Sequence, residues 1–140
     1  MHSQTLDTLV NVGGYNMHFK IMKGEGIPIL FEAGAGNDAS VWNDILEKIH
    51  NVTGTTLITY DRSGFGTSEL NPNLKNDADF GIENGIKELE AGLSKLGYDN
   101  EIILVSHSYG GLYNLLYAHK HPKKVKSVVL IDVTLNNFWN

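Results

Sequence analysis

The feature that most constrains the fold of this chain is a regular alternation of short apolar runs with longer amphipathic stretches. The apolar runs are too short for helices, so they predict buried strands. The stretches between them repeat apolar residues every three or four positions, as helices do. The predicted order is strand 27–31, helix 41–49, strand 56–60, helix 82–96, strand 102–105, helix 112–120 and strand 125–131. This alternation predicts a parallel sheet with helices on both faces and ligands at the carboxyl ends of the strands.

Two β-prone runs precede this pattern, over residues 8–12 and 15–22. Gly13 and Gly14 lie between them, and a Gly-Gly pair favours a hairpin because it tolerates positive φ. Residues 23–26 predict a second turn. The predicted fold class is therefore α/β, with a mostly parallel sheet that begins in an N-terminal antiparallel hairpin.

The composition argues against several kinds of partner. The chain has 140 residues, enough for one domain, and its net charge is -5 without a Lys/Arg run, which disfavours nucleic acid. It has no cysteine for a disulfide or a thiolate metal site. No apolar stretch reaches bilayer length, and no export leader is recognisable at residues 1–10. We expect a cytoplasmic protein that needs no cofactor, metal, nucleic acid or membrane.

The segment SHSYGG, residues 106–111, lies between the strand at 102–105 and the helix at 112–120. A sharp turn at this point exposes a serine hydroxyl above the sheet, near the positive end of the helix dipole. Such a turn crowds its neighbours, so it needs small residues two before and two after the serine. Ser106 and Gly110 meet that need around Ser108.

Two more segments follow strands in the order that this interpretation requires: EAGAG at 32–36 and DRSGFGTS at 61–68. With the serine turn, they resemble the α/β-hydrolase family, whose motifs are a glycine loop, a D-R-x-G-x-G-x-S loop and a G-x-S-x-G turn. Ser106 departs from that pattern, where the family has glycine, but serine is still small. Asp61 and Arg62 are interpreted as structural anchors of their loop.

The resemblance implies a role for each matching residue. Ser108 would be the nucleophile towards a small-molecule substrate, and the backbone amides of Tyr109 and Ala35 would bind the oxyanion, with Gly34 as the neighbouring candidate. Serine rather than aspartate at this position disfavours the haloalkane dehalogenase and epoxide hydrolase branches. Hydrolysis of an ester, amide, thioester, lactone or carbon–carbon bond remains.

The family's triad continues with an acid and then a histidine towards the C-terminal end of its domain. His107 should point away from Ser108, while His119 and His121 are interpreted as dipole partners at a helix end. Asp132 matches a structural aspartate that some relatives use as the acid. We therefore expect residues 1–140 to be the N-terminal part of an α/β-hydrolase domain, a fragment or truncated product that ends about where a cap or lid begins. The catalytic histidine would lie beyond this chain, leaving it little activity alone.

That expectation has a consequence for the strand at 125–131. If the sheet ends there, the strand is an unpaired apolar edge, which promotes association. We expect self-association through this strand.

Two alternatives stay open. Gly34 and Gly36 fit a G-x-G-x-x-A pattern between a strand and a helix, with Asp61 ending the next strand, which is typical of a Rossmann-type dinucleotide-binding domain. A preceding hairpin and the unexplained segment 106–111 weigh against it. The other alternative is a non-catalytic module with a hydrolase-like fold.

Overall fold

The computed structural model describes residues 4–133, apart from the side chains of residues 78 and 80. These residues form six strands, three α-helices and two short 3-10 segments. The strands are β1 (Thr5–Asn11), β2 (Asn16–Met22), β3 (Glu25–Glu32), β4 (Thr55–Tyr60), β5 (Ile102–His107) and β6 (Val125–Ile131). The helices are α1 (Asn43–Thr53), α2 (Ile82–Leu96) and α3 (Gly110–Lys120), and the 3-10 segments are Ala39–Trp42 and Asp77–Phe80. Within this part of the chain, every helix is too short or too polar to cross a bilayer.

The six strands form one sheet in the order β1-β2-β4-β3-β5-β6. The hairpin strands pair antiparallel with each other, and β2 pairs antiparallel with β4. The remaining pairs are all parallel. The predicted fold class is therefore confirmed. β3 and β5 are central neighbours, and the register places Glu32 beside Ser106, so the loops that leave these two strands meet at one carboxyl edge.

Both faces of the sheet are covered, because successive strand residues alternate between two cores. One core joins α2 and α3 to strand residues such as Leu30, Ile58 and Leu104. The other joins Trp42 and Leu46, at the first helix, to Phe31 and Leu57. Helices therefore lie on both faces, as predicted. This packing holds the strand ends that carry the loops described below.

Two strand boundaries near the N-terminus differ from the predicted ones, because the backbone there forms hydrogen bonds that the local pattern did not indicate. Residues 23–26 were predicted as a turn, but β3 already begins at Glu25, because the Glu25 N–H donates to the Gly54 carbonyl at 2.9 Å. The hairpin loop is longer than predicted. Asn11 ends β1 and its Oδ1 accepts from the N–H groups of Gly13 and Gly14 at 3.0 and 2.9 Å.

Two helix ends are capped by residues suited to that position, and the first helix runs past its predicted end at residue 49 to Thr53. The Asp38 side chain accepts from the Ser40 N–H at 2.8 Å and starts the first helix as a 3-10 turn. Gly97 ends α2 in the left-handed conformation, with φ of 83°. β5 runs beyond its predicted end to His107, because His107 still pairs with Ile131 of β6.

β6 is an edge strand within residues 4–133. It pairs with β5 on one side, and no described strand lies on its other side. Val129, Leu130 and Ile131 are 46%, 39% and 43% exposed. The end of the sheet therefore presents an open, apolar strand.

Candidate active site

Ser108 lies on a strained turn between β5 and α3. Its φ of 52° is in the left-handed region, which few residues other than glycine adopt and which often marks a functional site. The Ser108 N–H donates to the Ile131 carbonyl at 3.0 Å, and its carbonyl accepts from the Gly111 N–H at 3.0 Å. These two bonds tie the turn to β6 and to α3. Ser108 itself stays partly exposed at the carboxyl edge of the sheet.

The residues around this turn are packed too tightly for larger side chains. A Cβ added to Gly110 would lie 2.4 Å from the carbonyl oxygen of Ala33 and 2.8 Å from that of Glu32. Ser106 has no exposed surface, and its Oγ finds no hydrogen-bond partner among residues 4–133. This packing explains why small residues occupy both positions that the turn crowds.

Two backbone N–H groups beside the turn are available to a ligand. Among the described residues, neither the Tyr109 N–H nor the Ala35 N–H donates a hydrogen bond. Tyr109 precedes the first residue of α3, and Ala35 is exposed in the loop that follows β3. That loop touches the turn, because a Cβ on Gly34 would lie 3.2 Å from Nδ1 of His107. The two free donors therefore belong to segments in contact.

A cavity of ≈ 310 Å³ opens beside these donors. Ala35 and Tyr109 both line it, together with Arg62, Phe65, Glu88 and Tyr113. Its volume lies at the small end of the range for small-molecule sites. The cavity therefore has room for a compact ligand beside the two residues whose N–H groups are unpaired in the described part of the chain.

A buried ion pair supports the loop after β3. Glu32 has no exposed surface, and its Oε1 accepts from Nη1 of Arg62 at 2.6 Å. The Tyr60 hydroxyl donates to its Oε2 at 2.5 Å. The same guanidinium also donates to the carbonyls of Ala33 and Gly34, at 2.7 and 2.5 Å. One side chain from the loop after β4 thus binds three successive residues at the end of β3.

The electrostatics of this pair depend on burial. Burial raises the pKa of Glu32, while the charge of Arg62 and the hydrogen bonds from Tyr60 and Arg62 oppose that rise. Burial also opposes the charge of Arg62, but the combined effect of Glu32, Tyr60 and Tyr113 outweighs burial and raises the pKa of the guanidinium. Arg62 therefore stays charged, and its Cζ lies 4.9 Å from the centre of the Tyr113 ring on α3.

Sequence reasoning identified only part of this arrangement. It interpreted Arg62 as an anchor of its own loop and did not single out Glu32 within the EAGAG segment. The available signal was a carboxylate that ends an otherwise apolar strand, because a buried charge requires a partner. The identity of that partner depends on which loop folds over the strand end.

Asp61 is also buried and fully engaged, since it is only 4% exposed. Its carboxylate accepts from the N–H groups of Ala39 and Thr67 at 2.8 and 3.1 Å, and it contacts Nδ1 of His18 at 2.9 Å. A dinucleotide-binding domain would need this carboxylate free for a ribose hydroxyl. The structure thus removes the acidic residue on which the Rossmann-type alternative depended.

His18 bridges two carboxylates. Its Nδ1 lies 2.9 Å from Asp61 and its Nε2 lies 2.6 Å from Asp7. Carboxylates only accept hydrogen bonds, so both ring nitrogens must carry protons. Burial opposes the charge, but the hydrogen bonds to Asp7 and Asp61 outweigh it and raise the pKa of His18. The imidazolium thereby joins β1, β2 and the loop after β4.

Replacing His18 with glutamine is expected to cost about 1 kcal/mol of unfolding free energy at pH 6 and less at pH 9. The pKa of His18 is higher in the folded protein than in the unfolded chain. The stabilisation by its charge is therefore fully present at pH values below the unfolded pKa, and it is lost as pH rises through the folded pKa. Urea unfolding of both proteins at the two pH values measures the difference. An equal loss at both values would contradict a charged His18.

The other predicted residues are placed as follows. His107 packs against the loop after β3 and lines a second cavity. His119 is exposed, and His121 contacts the Glu90 carboxylate at 2.7 Å near the end of α3. Asp132 is exposed after β6, with φ of 48°. Within residues 4–133, no His, Cys, Asp and Glu cluster is arranged to hold a metal ion.

A mostly parallel sheet with a strained serine turn at its carboxyl edge defines a hydrolase-type α/β architecture. The model of the alpha/beta hydrolase fold family matches residues 27–140. The chain therefore belongs to the α/β-hydrolase fold family, and its similar proteins include several hydrolases.

Among curated proteins, the chain is 32% identical over 98% of its length to the uncharacterized protein YqjL of Bacillus subtilis, covering 52% of that protein. It is 27% identical to a haloalkane dehalogenase of Agrobacterium fabrum, over 89% of the chain and 38% of the relative. A proline iminopeptidase of Lactobacillus delbrueckii is 31% identical, over 74% of the chain and 35% of the relative. The chain thus spans about half or less of the length of these relatives.

Solved structures show the same architecture. The haloalkane dehalogenase DatA from Agrobacterium tumefaciens superposes with a TM-score of 0.75 at 25% identity, covering 92% of this chain and 41% of that one. The epoxide hydrolase VrEH1 from Vigna radiata gives 0.77 at 24% identity, over 90% and 39% of the two chains. The second similarity supports the fold alone.

Proposed function

We propose that Ser108 is the nucleophile of a hydrolase that acts on a small ester, amide or related acyl bond. The observation that supports this best is the left-handed turn at Ser108, flanked by the free N–H groups of Tyr109 and Ala35. A serine on such a turn can approach a carbonyl carbon in the adjoining cavity. The two amides are candidates to receive the negative charge that then develops on the carbonyl oxygen.

The proposed reaction has two steps. In the first, Ser108 Oγ bonds to the acyl carbon as its proton passes to a base, and the leaving group departs with a proton. In the second, water attacks the acyl-enzyme, releasing the acid and restoring the serine. Within residues 4–133, no side chain is hydrogen-bonded to Ser108 Oγ, and His18, His50 and His121 engage other groups. Because no base is hydrogen-bonded to Ser108 in this part of the chain, we expect slow acyl-enzyme formation and very little turnover, as in enzymes with an incomplete triad.

The relatives include enzymes with other substrates, among them a haloalkane dehalogenase and a proline iminopeptidase. The residue at the turn separates these chemistries. A serine nucleophile forms an acyl-enzyme, whereas the dehalogenase and epoxide hydrolase branches of the family use aspartate. Ser108 therefore favours acyl transfer over attack on a halide or an epoxide.

A fluorophosphonate label tests the proposal directly. Prolonged incubation with excess reagent should add one adduct to the wild-type chain, located at Ser108 by peptide mass, and Ser108→Ala should abolish it. Ser106→Ala is the matched control, because Ser106 is a buried serine in the same turn and its removal should leave labelling intact. Labelling that survives Ser108→Ala would overturn the proposal. No adduct in the wild-type chain would instead favour the non-catalytic module.

We also propose that the chain self-associates through β6. The support is the exposure of Val129, Leu130 and Ile131 on a strand with one free side in the described part of the fold. Sedimentation velocity should show an average mass that rises with concentration. Val129→Lys should lower that mass by adding like charges to both partners. A wild-type monomer at high concentration would rule out this proposal.

A further inference from the structure

We propose that Arg62 is a positioning residue that directs the amide donors of the loop after β3. The inference rests on the proposed function, since it assigns those donors to the oxyanion. Arg62 lies on a different loop, yet its guanidinium donates to the carbonyls of Ala33 and Gly34 at 2.7 and 2.5 Å. These contacts are separate from its ion pair with Glu32.

The geometry of the peptide bond turns these contacts into control over the N–H groups. The Gly34 carbonyl and the Ala35 N–H belong to one planar trans peptide, so they point in opposite directions. When Arg62 holds the Gly34 carbonyl, the Ala35 N–H must point away from the guanidinium. The Ala33 carbonyl relates to the Gly34 N–H in the same way. Arg62 therefore sets the direction of the Gly34 and Ala35 amides, the two oxyanion candidates that this loop supplies.

Arg62 is itself held firmly enough to perform this role. It is 8% exposed, the fully buried Glu32 accepts from it at 2.6 Å, and the Tyr113 ring lies against it. Tyr113 belongs to α3, the helix that the Ser108 turn begins. The guanidinium thus connects the loop after β3, called the donor loop from here on, to α3, the helix that begins at the Ser108 turn. A bond from a charged donor also polarises the peptide, which strengthens its N–H as a donor.

Lysine provides a sharp test, because it keeps the charge but lacks the planar fork that reaches several acceptors at once. In Arg62→Lys, we expect fluorophosphonate labelling of Ser108 to slow about 10-fold, less than the loss of a whole oxyanion donor. The amide resonance of Ala35 in a 15N–1H spectrum should also shift, and its hydrogen exchange should accelerate. The amide readout follows the loop directly and does not depend on catalysis.

Tyr60→Phe is the matched control. It removes the hydrogen bond to the other oxygen of Glu32 but contacts neither loop carbonyl. It should lower stability yet leave the labelling rate and the Ala35 resonance unchanged. If Arg62 contributed only to stability, Arg62→Lys and Tyr60→Phe would have the same effect on the labelling rate and on the Ala35 resonance. A folded Arg62→Lys with wild-type labelling and an unmoved Ala35 resonance would overturn the inference.

Glu32→Gln is a second variant that tests the inference if Arg62→Lys does not fold. It keeps an acceptor for Arg62 but removes the charge that holds the guanidinium in place. The Ala35 resonance should shift and labelling should slow, and an unchanged result for both would equally reject the inference. Failure of the proposed function is distinguishable, because it appears as labelling that does not depend on Ser108, whereas the Ala35 amide still reports on Arg62.

Discussion

Replacing Glu32 with leucine is expected to lower the free energy of unfolding by about 3–5 kcal/mol, the usual cost of leaving half of a buried ion pair alone. Leucine fills a similar volume, so packing changes little. The Arg62 guanidinium, however, loses its anionic partner in a site that is 8% exposed, and the Tyr60 hydroxyl loses its acceptor. A domain of this size has a total stability of about 5–15 kcal/mol, so the variant should be close to unfolding.

Urea unfolding of a small set of variants separates the charge from the packing. Glu32→Gln keeps one acceptor oxygen, which can face Arg62, and should lose less stability than Glu32→Leu. The double variant Glu32→Leu with Arg62→Met should recover part of the loss, since it removes both buried charges. The single variant Arg62→Met completes the set. If the double variant loses as much stability as Glu32→Leu and Arg62→Met lose together, the two side chains are not coupled and this explanation of the buried carboxylate is wrong.

Gly110→Ala is the second change with a large expected effect, about 3 kcal/mol of destabilisation. The new methyl group would lie 2.4 and 2.8 Å from the carbonyl oxygens of Ala33 and Glu32. Both are backbone atoms, and Arg62 holds the first of them, so neither can move aside cheaply. The turn or the donor loop must shift instead, so labelling of Ser108 should fall with stability.

Gly111→Ala is the control for this prediction. It lies one residue along the same helix, and the atoms nearest to its new methyl group would belong to the side chain of Val133, with Cγ2 at 2.7 Å and Cγ1 at 2.8 Å. Val133 follows β6 outside any helix or strand, so we expect it to shift more easily than the backbone at the end of β3, and alanine favours a helix over glycine by about 1 kcal/mol. Thermal unfolding of both variants should place Gly110→Ala well below Gly111→Ala. Equal midpoints would show that the contact between the turn and the donor loop is not a tight one.

These two predictions concern a single junction. The carboxyl ends of β3 and β5 are neighbours, so atoms of the donor loop lie in van der Waals contact with atoms of the serine turn. Arg62 then binds the donor loop from a third strand end. Stability and the proposed chemistry are therefore coupled here, and substitutions that loosen the junction should affect both.

Much of the fold could be predicted from local pattern. α2 has the predicted bounds because its apolar stripe is long and Gly97 ends it. The serine turn could be located because the turn itself demands small neighbours, and Ser106 and Gly110 supply them. The start of β3 could not be predicted, because Glu25 joins the sheet through a bond to Gly54, which is distant in sequence.

The network around Glu32 shows the same limit for the site. Glu32 ends β3, whereas Tyr60 and Arg62 lie at the end of β4, and no spacing between these two segments indicates contact. His18 is similar, since Asp7 and Asp61 reach it from different elements. In both cases the side chains come into contact only because the order of strands in the sheet places their segments side by side.

The amino-acid sequence alone determined the order of strands and helices, the α/β class and the position of the serine turn, because periodicity, turn residues and steric demand act between near neighbours. Only the tertiary structure decided which strand ends lie side by side, that Arg62 binds the backbone of the loop after β3, and that Asp61 is already occupied. Those facts depend on contacts between distant segments, which exist only once the sheet has assembled and buried charges have found partners.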